Sequence, residues 1–146
     1  IRFGAGAWHG IEAVRLIEAP LSVLCVPEIA RQLRTPADLL QQTLLRSYRS
    51  DEWPEWFQAT GLSAHAAPPR SIVFDSSLAM MEAALQGAGV ALAPPRMFAR
   101  QLATGAIEQP FAVGITTGSY WLTHLQSRPE TSAMAAFKGW LLQASL

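Results

Sequence analysis

The sequence predicts an α/β fold built on a largely parallel sheet. Three observations carry that prediction. Short apolar runs alternate with helical patterns along the chain. One stretch, SIVFDSSLAMMEAALQGAGVALAPP from Ser71 to Pro95, holds a complete strand–helix–strand unit. Half of the 146 residues are hydrophobic and 15% are charged, which supports a packed core.

Taken in order, Ile1–Phe3 reads as a short buried strand running into the glycine loop Gly4–Gly10. These glycines serve either a turn or direct ligand contact, and the loop matches neither G-x-G-x-x-G nor a P-loop. Ala13–Ile17 and Leu21–Val26 are extended runs punctuated by Pro20 and Pro27. An interrupted strand of this kind can cross between two subdomains. Glu28–Leu33 reads as a short helix. Thr35-Pro36-Ala37-Asp38 is a second helix start, with Thr as N-cap, Pro at the first helical position and an acid in the first turn. That helix carries Leu39 and Leu40, and Leu44 is either its last apolar residue or the first of the strand that follows. Leu44–Tyr48 follows as a short strand with a polar end. Asp51–Phe57 opens another helix, with Trp53, Trp56 and Phe57 at i, i+3 and i+4, either a core stripe or an aromatic ligand cage. Gly61–Arg70 is an Ala/Pro-rich loop containing His65.

In the Ser71–Pro95 stretch, Ser71–Phe74 reads as a strand and Leu78, Met81, Leu85 and Ala88 as the 3.6-period stripe of a helix. Gly87 and Gly89 stop that helix, and Val90–Ala93 is a second strand closed by Pro94 and Pro95. Asp75, Ser76 and Ser77 fall where the first strand ends and the helix begins. The first N–H groups of a helix have no partner inside it. Ser or Asp can cap them, and the same place can hold a ligand's carboxylate, phosphate or hydroxyl. Beyond it come a helix over Arg96–Ala103 and an edge segment over Ile107–Phe111 containing Pro110. A strand over Gly118–His124 follows, then a final amphipathic helix with Met134, Phe137, Trp140 and Leu141 on one face.

The composition excludes several chemistries. Net charge is zero and the basic residues are scattered, so this segment is not a main nucleic-acid contact. Cys25 stands alone, which rules out a disulfide framework, and its apolar run predicts a buried, inert thiol. His9, His65 and His124 lack ligand spacing. There is no G-x-S-x-G elbow and no H-E-x-x-H. Asp51, Glu52 and Glu55 read as helix-start acids. No apolar run reaches the roughly 18 residues of a membrane span. The residues favour a binding module over an enzyme, with no cofactor and no metal. The opening Ile1-Arg2-Phe3-Gly4 has neither Met nor signal peptide and reads as the middle of a larger domain.

IRFGAGAWHG, APLSVLCVPE, TPADLL, LLRSYRSDEWPEWFQATG, FDSSLAMMEAALQGAGVALAP and SYWLTHLQSRPETSAMAAFKGWL, in that order, resemble the effector-binding domain of LysR-type transcriptional regulators. LLRSYRSDEW, VFDSSLAMMEAA and GSYWLTHLQSRPETSAM resemble the members that control inducible chromosomal class C β-lactamase. The resemblance implies a periplasmic-binding-protein-like fold: two Rossmann-like subdomains joined by crossing strands, with a ligand cleft between them. Residues 21–114 would form the second subdomain. Residues 1–20 and 115–146 would form the later part of the first, left incomplete, with DNA contacted only through a winged helix-turn-helix outside this chain. The implied effectors are muropeptides, a UDP-linked muramyl pentapeptide and anhydro-muramyl peptides. Two positions match the family's effector pocket by motif, Ser77 in FDSS and Tyr120 in GSYW. Ser76 beside Ser77 is either a further donor or a plain cap, and Arg46 and Tyr48 lie at a strand end inside a family block. The resemblance further implies a cytoplasmic homodimer or homotetramer with no membrane contact and no catalysis. A LysR-type sensor of another small anionic metabolite, a solute-binding protein of the same fold and a transferase on that fold are the alternatives.

Overall fold

The computed structural model describes residues 1–62 and 70–144. His65 and most of its loop lie outside the described residues. The strands are β1 (Arg2–Gly4), β2 (Ile11–Glu18), β3 (Leu21–Leu24), β4 (Leu44–Ser47), β5 (Ser71–Phe74), β6 (Val90–Ala93), β7 (Gly114–Ile115) and β8 (Ser119–Leu125). The α-helices are α1 (Pro27–Ala30), α2 (Glu52–Ala59), α3 (Ser77–Leu85), α4 (Ala99–Ala103) and α5 (Ser132–Ala144). No helix among the described residues is long and apolar enough to cross a membrane.

The chain divides into a larger unit, Pro20–Ile115, and a smaller one, Ile1–Ala19 with Thr116–Leu146. The larger unit holds a five-stranded sheet in the order β5-β4-β6-β3-β7. Only part of it is parallel, which corrects the sequence expectation. β4 runs parallel to β5 and β6, whereas β3 runs antiparallel to β6 and β7. The reason is connectivity. A helical crossover returns the chain in the same direction, and such crossovers link β4 to β5 and β5 to β6. β3 instead leads through α1 and a 3₁₀ helix to β4, which lies on the other side of β6 and runs the opposite way.

Both faces of the sheet are covered along β4, β6 and β3, with the edge strand β5 left largely exposed, and the strand alternation divides the covered residues between the faces. Leu44, Val90, Leu92, Leu21 and Val23 pack with Trp53, Trp56 and Phe57 of α2. Leu45, Leu24, Ala91 and Ala93 pack with Met80, Met81 and Ala84 of α3. The aromatic stripe of α2 is thus core, and its polar edges are satisfied: Trp53 Nε1 donates to Leu45 O at 3.1 Å and Trp56 Nε1 to Val113 O at 3.2 Å. Cys25 is fully buried, and its thiol is pushed up to about 12 by desolvation first and the Glu108 carboxylate second.

Local corrections have local causes. Ser76 caps α3 as expected, its Oγ accepting from Ala79 N at 3.4 Å. Yet the buried side chains are Met80, Met81 and Ala84, and Leu78 is 63% exposed. With the helix starting at Ser77, these are the positions that meet Leu45, Ala91 and Ala93, so the stripe is turned from the expected one. Gly87, at φ +75°, ends α3 in a Schellman arrangement: Gly87 N donates to Ala84 O and Ala88 N to Ala83 O. The segment after Thr35 is a 3₁₀ helix, Pro36–Gln41, rather than an α-helix. It has six residues before the chain turns extended, and 3₁₀ geometry suits short pieces. Likewise α1 spans only Pro27–Ala30, a 3₁₀ turn Pro95–Phe98 precedes α4, and Ile107–Phe111 contributes an isolated bridge from Glu108 to Cys25.

The smaller unit has a three-stranded antiparallel sheet, β1-β8-β2, with a register irregularity between Arg15 and Ile17. β1 is not buried as expected; Ile1 is 69% exposed. The glycine loop packs by Trp8 against Trp121, ring centroids 6.3 Å apart, and Trp121 Nε1 donates to Gly4 O at 2.9 Å. A Cβ at Gly6 would lie 2.4 Å from the Trp121 ring, so this glycine leaves room for the indole. α5 follows β8 and carries the expected apolar residues, but none of them is buried.

Candidate functional site

In a doubly wound sheet, a ligand crevice opens at the carboxyl ends of strands where neighbouring connections leave to opposite faces. β4 and β5 are such a pair. They run parallel in the register Ser47 to Phe74, so the chain leaves both at the same edge. From β4 it enters α2 on one face, and from β5 it enters α3 on the other. Two polar segments therefore meet at this edge, Ser47–Asp51 after β4 and Asp75–Ser77 after β5.

The β5 side is a helix N-terminus. Ser76 is the N-cap in extended conformation and Ser77 the exposed first helical residue. The amides of Ser77 and Leu78 lie in the first turn, where the helix supplies no acceptor. The positive end of the helix dipole faces the same way, which suits an oxygen-rich or anionic ligand group.

The β4 side is more elaborate than its sequence suggests. Arg46 pairs with Val73 and turns its Nη1 onto Ser47 O at 3.3 Å. Tyr48 is 67% exposed, with the Arg49 guanidinium carbon 5.3 Å from its ring centroid. Glu52, read from sequence as one of three helix-start acids, is only 3% exposed, while Asp51 and Glu55 are exposed. Its Oε2 accepts from Ser47 Oγ at 2.7 Å, and its Oε1 lies 3.6 Å from Arg49 Nη1. Ser47 Oγ in turn accepts from Arg49 N at 3.1 Å. Burial pushes the Glu52 carboxyl above the usual carboxylate range, and Ser47 and Arg49 draw it partly back. Arg49 and Glu52 escaped the sequence reading. The one available signal was a serine at a strand's polar end, five residues before an acid.

The structure thus brings Ser76, Ser77, Arg46 and Tyr48 to one edge of the larger unit. Tyr120 stands on β8 of the smaller unit, opposite Phe3 in register and half-buried, its ring edge-on to Phe3 at 5.1 Å. Among the described residues no three His, Cys, Asp or Glu side chains are grouped to hold a metal ion.

Sheet, switch point and polar helix start are those of an effector-binding module, and the LysR substrate binding domain family matches residues 1–145. The chain belongs to that family, and its fold is periplasmic-binding-protein-like. Over 143 residues it is 73% identical to the HTH-type transcriptional activator AmpR of Pseudomonas aeruginosa, covering 98% of this chain and 48% of that protein. It is 56% identical over 143 residues to the AmpR of Enterobacter cloacae, covering 98% and 49%. The chain spans about half the length of these curated relatives. The X-ray structure of the effector domain of the P. aeruginosa transcriptional regulator AmpR superposes with a TM-score of 0.94 at 72% identity, covering 99% of this chain and 70% of that one. A Citrobacter freundii effector binding domain carrying three substitutions, Thr to Val, Ser to Ala and Tyr to Phe, gives 0.95 at 49% identity, covering 99% and 73%.

Proposed function

We propose that this chain is the effector-sensing part of a LysR-type transcriptional regulator that responds to cell-wall muropeptides and so controls β-lactamase expression. The observation that carries the reading is the paired polar edge of β4 and β5, with an open helix N-terminus at Ser77. A UDP-linked muramyl pentapeptide and an anhydro-muramyl peptide both present carboxylates, amides and sugar hydroxyls, the groups that such an edge recognises. Ser77 and Tyr120 are the leading contacts, with Ser76, Arg46 and Tyr48 beside Ser77. The Ser and Tyr substituted in the Citrobacter freundii domain stand as far apart in sequence as Ser77 and Tyr120 do here, which supports that choice. The identity to proteins named AmpR supports the muropeptide class. The domain binds and does not catalyse. Effector binding shifts the population between two arrangements of the regulator. DNA contact and assembly into a cytoplasmic homodimer or homotetramer belong to the full-length protein.

Calorimetric titration of the full-length protein with each muropeptide tests this. Saturable binding of at least one is expected. Ser77→Ala and Tyr120→Phe each weaken it about tenfold, the effect of one lost hydrogen bond to a charged or well-placed group. In a β-lactamase reporter both variants lose induction. If neither muropeptide gives heat while another small anion binds, the muropeptide assignment is wrong and the family remains. If both variants induce like wild type, the site is misplaced.

A further inference from the structure

We infer that Glu52 is a positioning residue: its buried carboxylate holds the turn between β4 and α2 in the shape that presents Tyr48 to the effector. The inference rests on the reading above, that an effector binds at the carboxyl ends of β4 and β5.

Glu52 is not needed as a helix-start acid. Asp51 and Glu55, both exposed, already supply negative charge to the first turn of α2. A buried carboxylate is instead a cost to folding unless its oxygens are occupied. Here they are occupied by the turn itself. Ser47 Oγ donates to Oε2 at 2.7 Å and accepts from Arg49 N at 3.1 Å, so one hydroxyl ties the end of β4 to the turn and both to Glu52. Arg49 Nη1, 3.6 Å from Oε1, adds a tie from the side chain. The residues on each side of Tyr48 are therefore anchored to the same carboxylate. Tyr48 itself projects, 67% exposed, with the Arg49 guanidinium over its ring. A turn anchored before binding loses less freedom when a ligand arrives. The same network breaks a local rule of burial beside the binding edge, where such departures are concentrated.

The experiment measures muropeptide affinity and thermal stability of the full-length protein for wild type, Glu52→Gln, Tyr48→Ala and the double variant. A Gln side chain still accepts from Ser47 Oγ but loses the charge that holds Arg49. Its melting temperature is expected to equal or exceed that of wild type, because a desolvated carboxylate is removed. Its affinity is expected to fall about three- to tenfold, and the double variant to bind no worse than Tyr48→Ala, since the two act through one side chain. A Glu52→Gln protein that binds like wild type overturns the inference. So does a fall in melting temperature at unchanged affinity, the mark of a purely structural acid, and so do losses that add in the double variant. Should Glu52→Gln fail to fold, Ser47→Ala, which leaves the carboxylate in place, decides by affinity: a three- to tenfold fall that does not add to that of Tyr48→Ala supports the inference, and wild-type affinity overturns it. Wild type that binds neither muropeptide removes the proposed function and this inference together. Wild type that binds alongside an unaffected variant removes this inference alone.

Discussion

The same apolar spacing has opposite outcomes in the two units. In α2, Trp53, Trp56 and Phe57 stand at i, i+3 and i+4, and all are at most 2% exposed. In α5, Phe137, Trp140 and Leu141 have the same spacing, yet Phe137 is 50% and Trp140 60% exposed. Spacing chooses which residues share a helix face. Burial needs an apolar surface for that face to land on. α2 meets Leu44, Val90 and Leu92 on a five-stranded sheet. In this chain, which spans about half the length of the curated relatives it matches, the sheet of the smaller unit has three strands, and only Ala19 and Ser119 are buried among that unit's described residues. Phe137 and Trp140 turn to one another instead, ring centroids 5.8 Å apart.

The largest effect that sharpens this contrast is Trp56→Ala. It empties a fully buried site and removes one of the two donors to Val113 O, Ser22 Oγ being the other, so about 3–5 kcal/mol of stability should be lost in urea unfolding, whereas Trp140→Ala should change it by less than about 0.5 kcal/mol. Equal losses would break the comparison. Gly89→Ala comes next. A Cβ there would lie 2.3 Å from the Thr43 carbonyl oxygen, a backbone atom that cannot swing aside, so about 1–3 kcal/mol is expected from the forced shift. Ser76→Ala removes a long cap bond and should cost about 0.5–1 kcal/mol, read by the same unfolding.

Two acids of the larger unit give the smallest effects, with opposite signs in stability against pH. The Asp38 carboxyl is held below its usual range, first by the Thr35 N–H and then by the Arg34 N–H. Its contribution is present above the unfolded pKa and is lost as pH falls through the folded one. Asp38→Asn should flatten the acid limb of the profile. Burial raises the Glu52 carboxyl above its usual range, so the folded form holds the proton more tightly and stability declines as pH climbs from the ordinary carboxylate range through the raised value. Glu52→Gln should remove that decline. A shared sign for the two would mean that burial at Glu52 is outweighed by its hydrogen bonds.

Legibility in the sequence followed the range of the interaction. The cap at Ser76, the glycine stop at Gly87 and the aromatic stripe of α2 depend on neighbours within a few residues, and each was readable. The turned stripe of α3 was not, because the sheet residues it meets come from β4 and β6. Glu52 was hidden for a different reason. Three acids in a first turn look alike, and only the packing against Ser47 separates the buried one.

The sequence by itself determined that strands alternate with helices, where most of them start and stop, and that a polar triplet opens α3. Those features come from backbone capping, glycine conformation and side-chain period, all local. Tertiary structure decided the direction of β3 and which apolar face is covered. Each of these depends on surface supplied by residues far along the chain. The candidate site combines both kinds of information: a helix start written in Asp75-Ser76-Ser77, and a turn at Ser47–Glu52 that lies beside it because β4 and β5 end together.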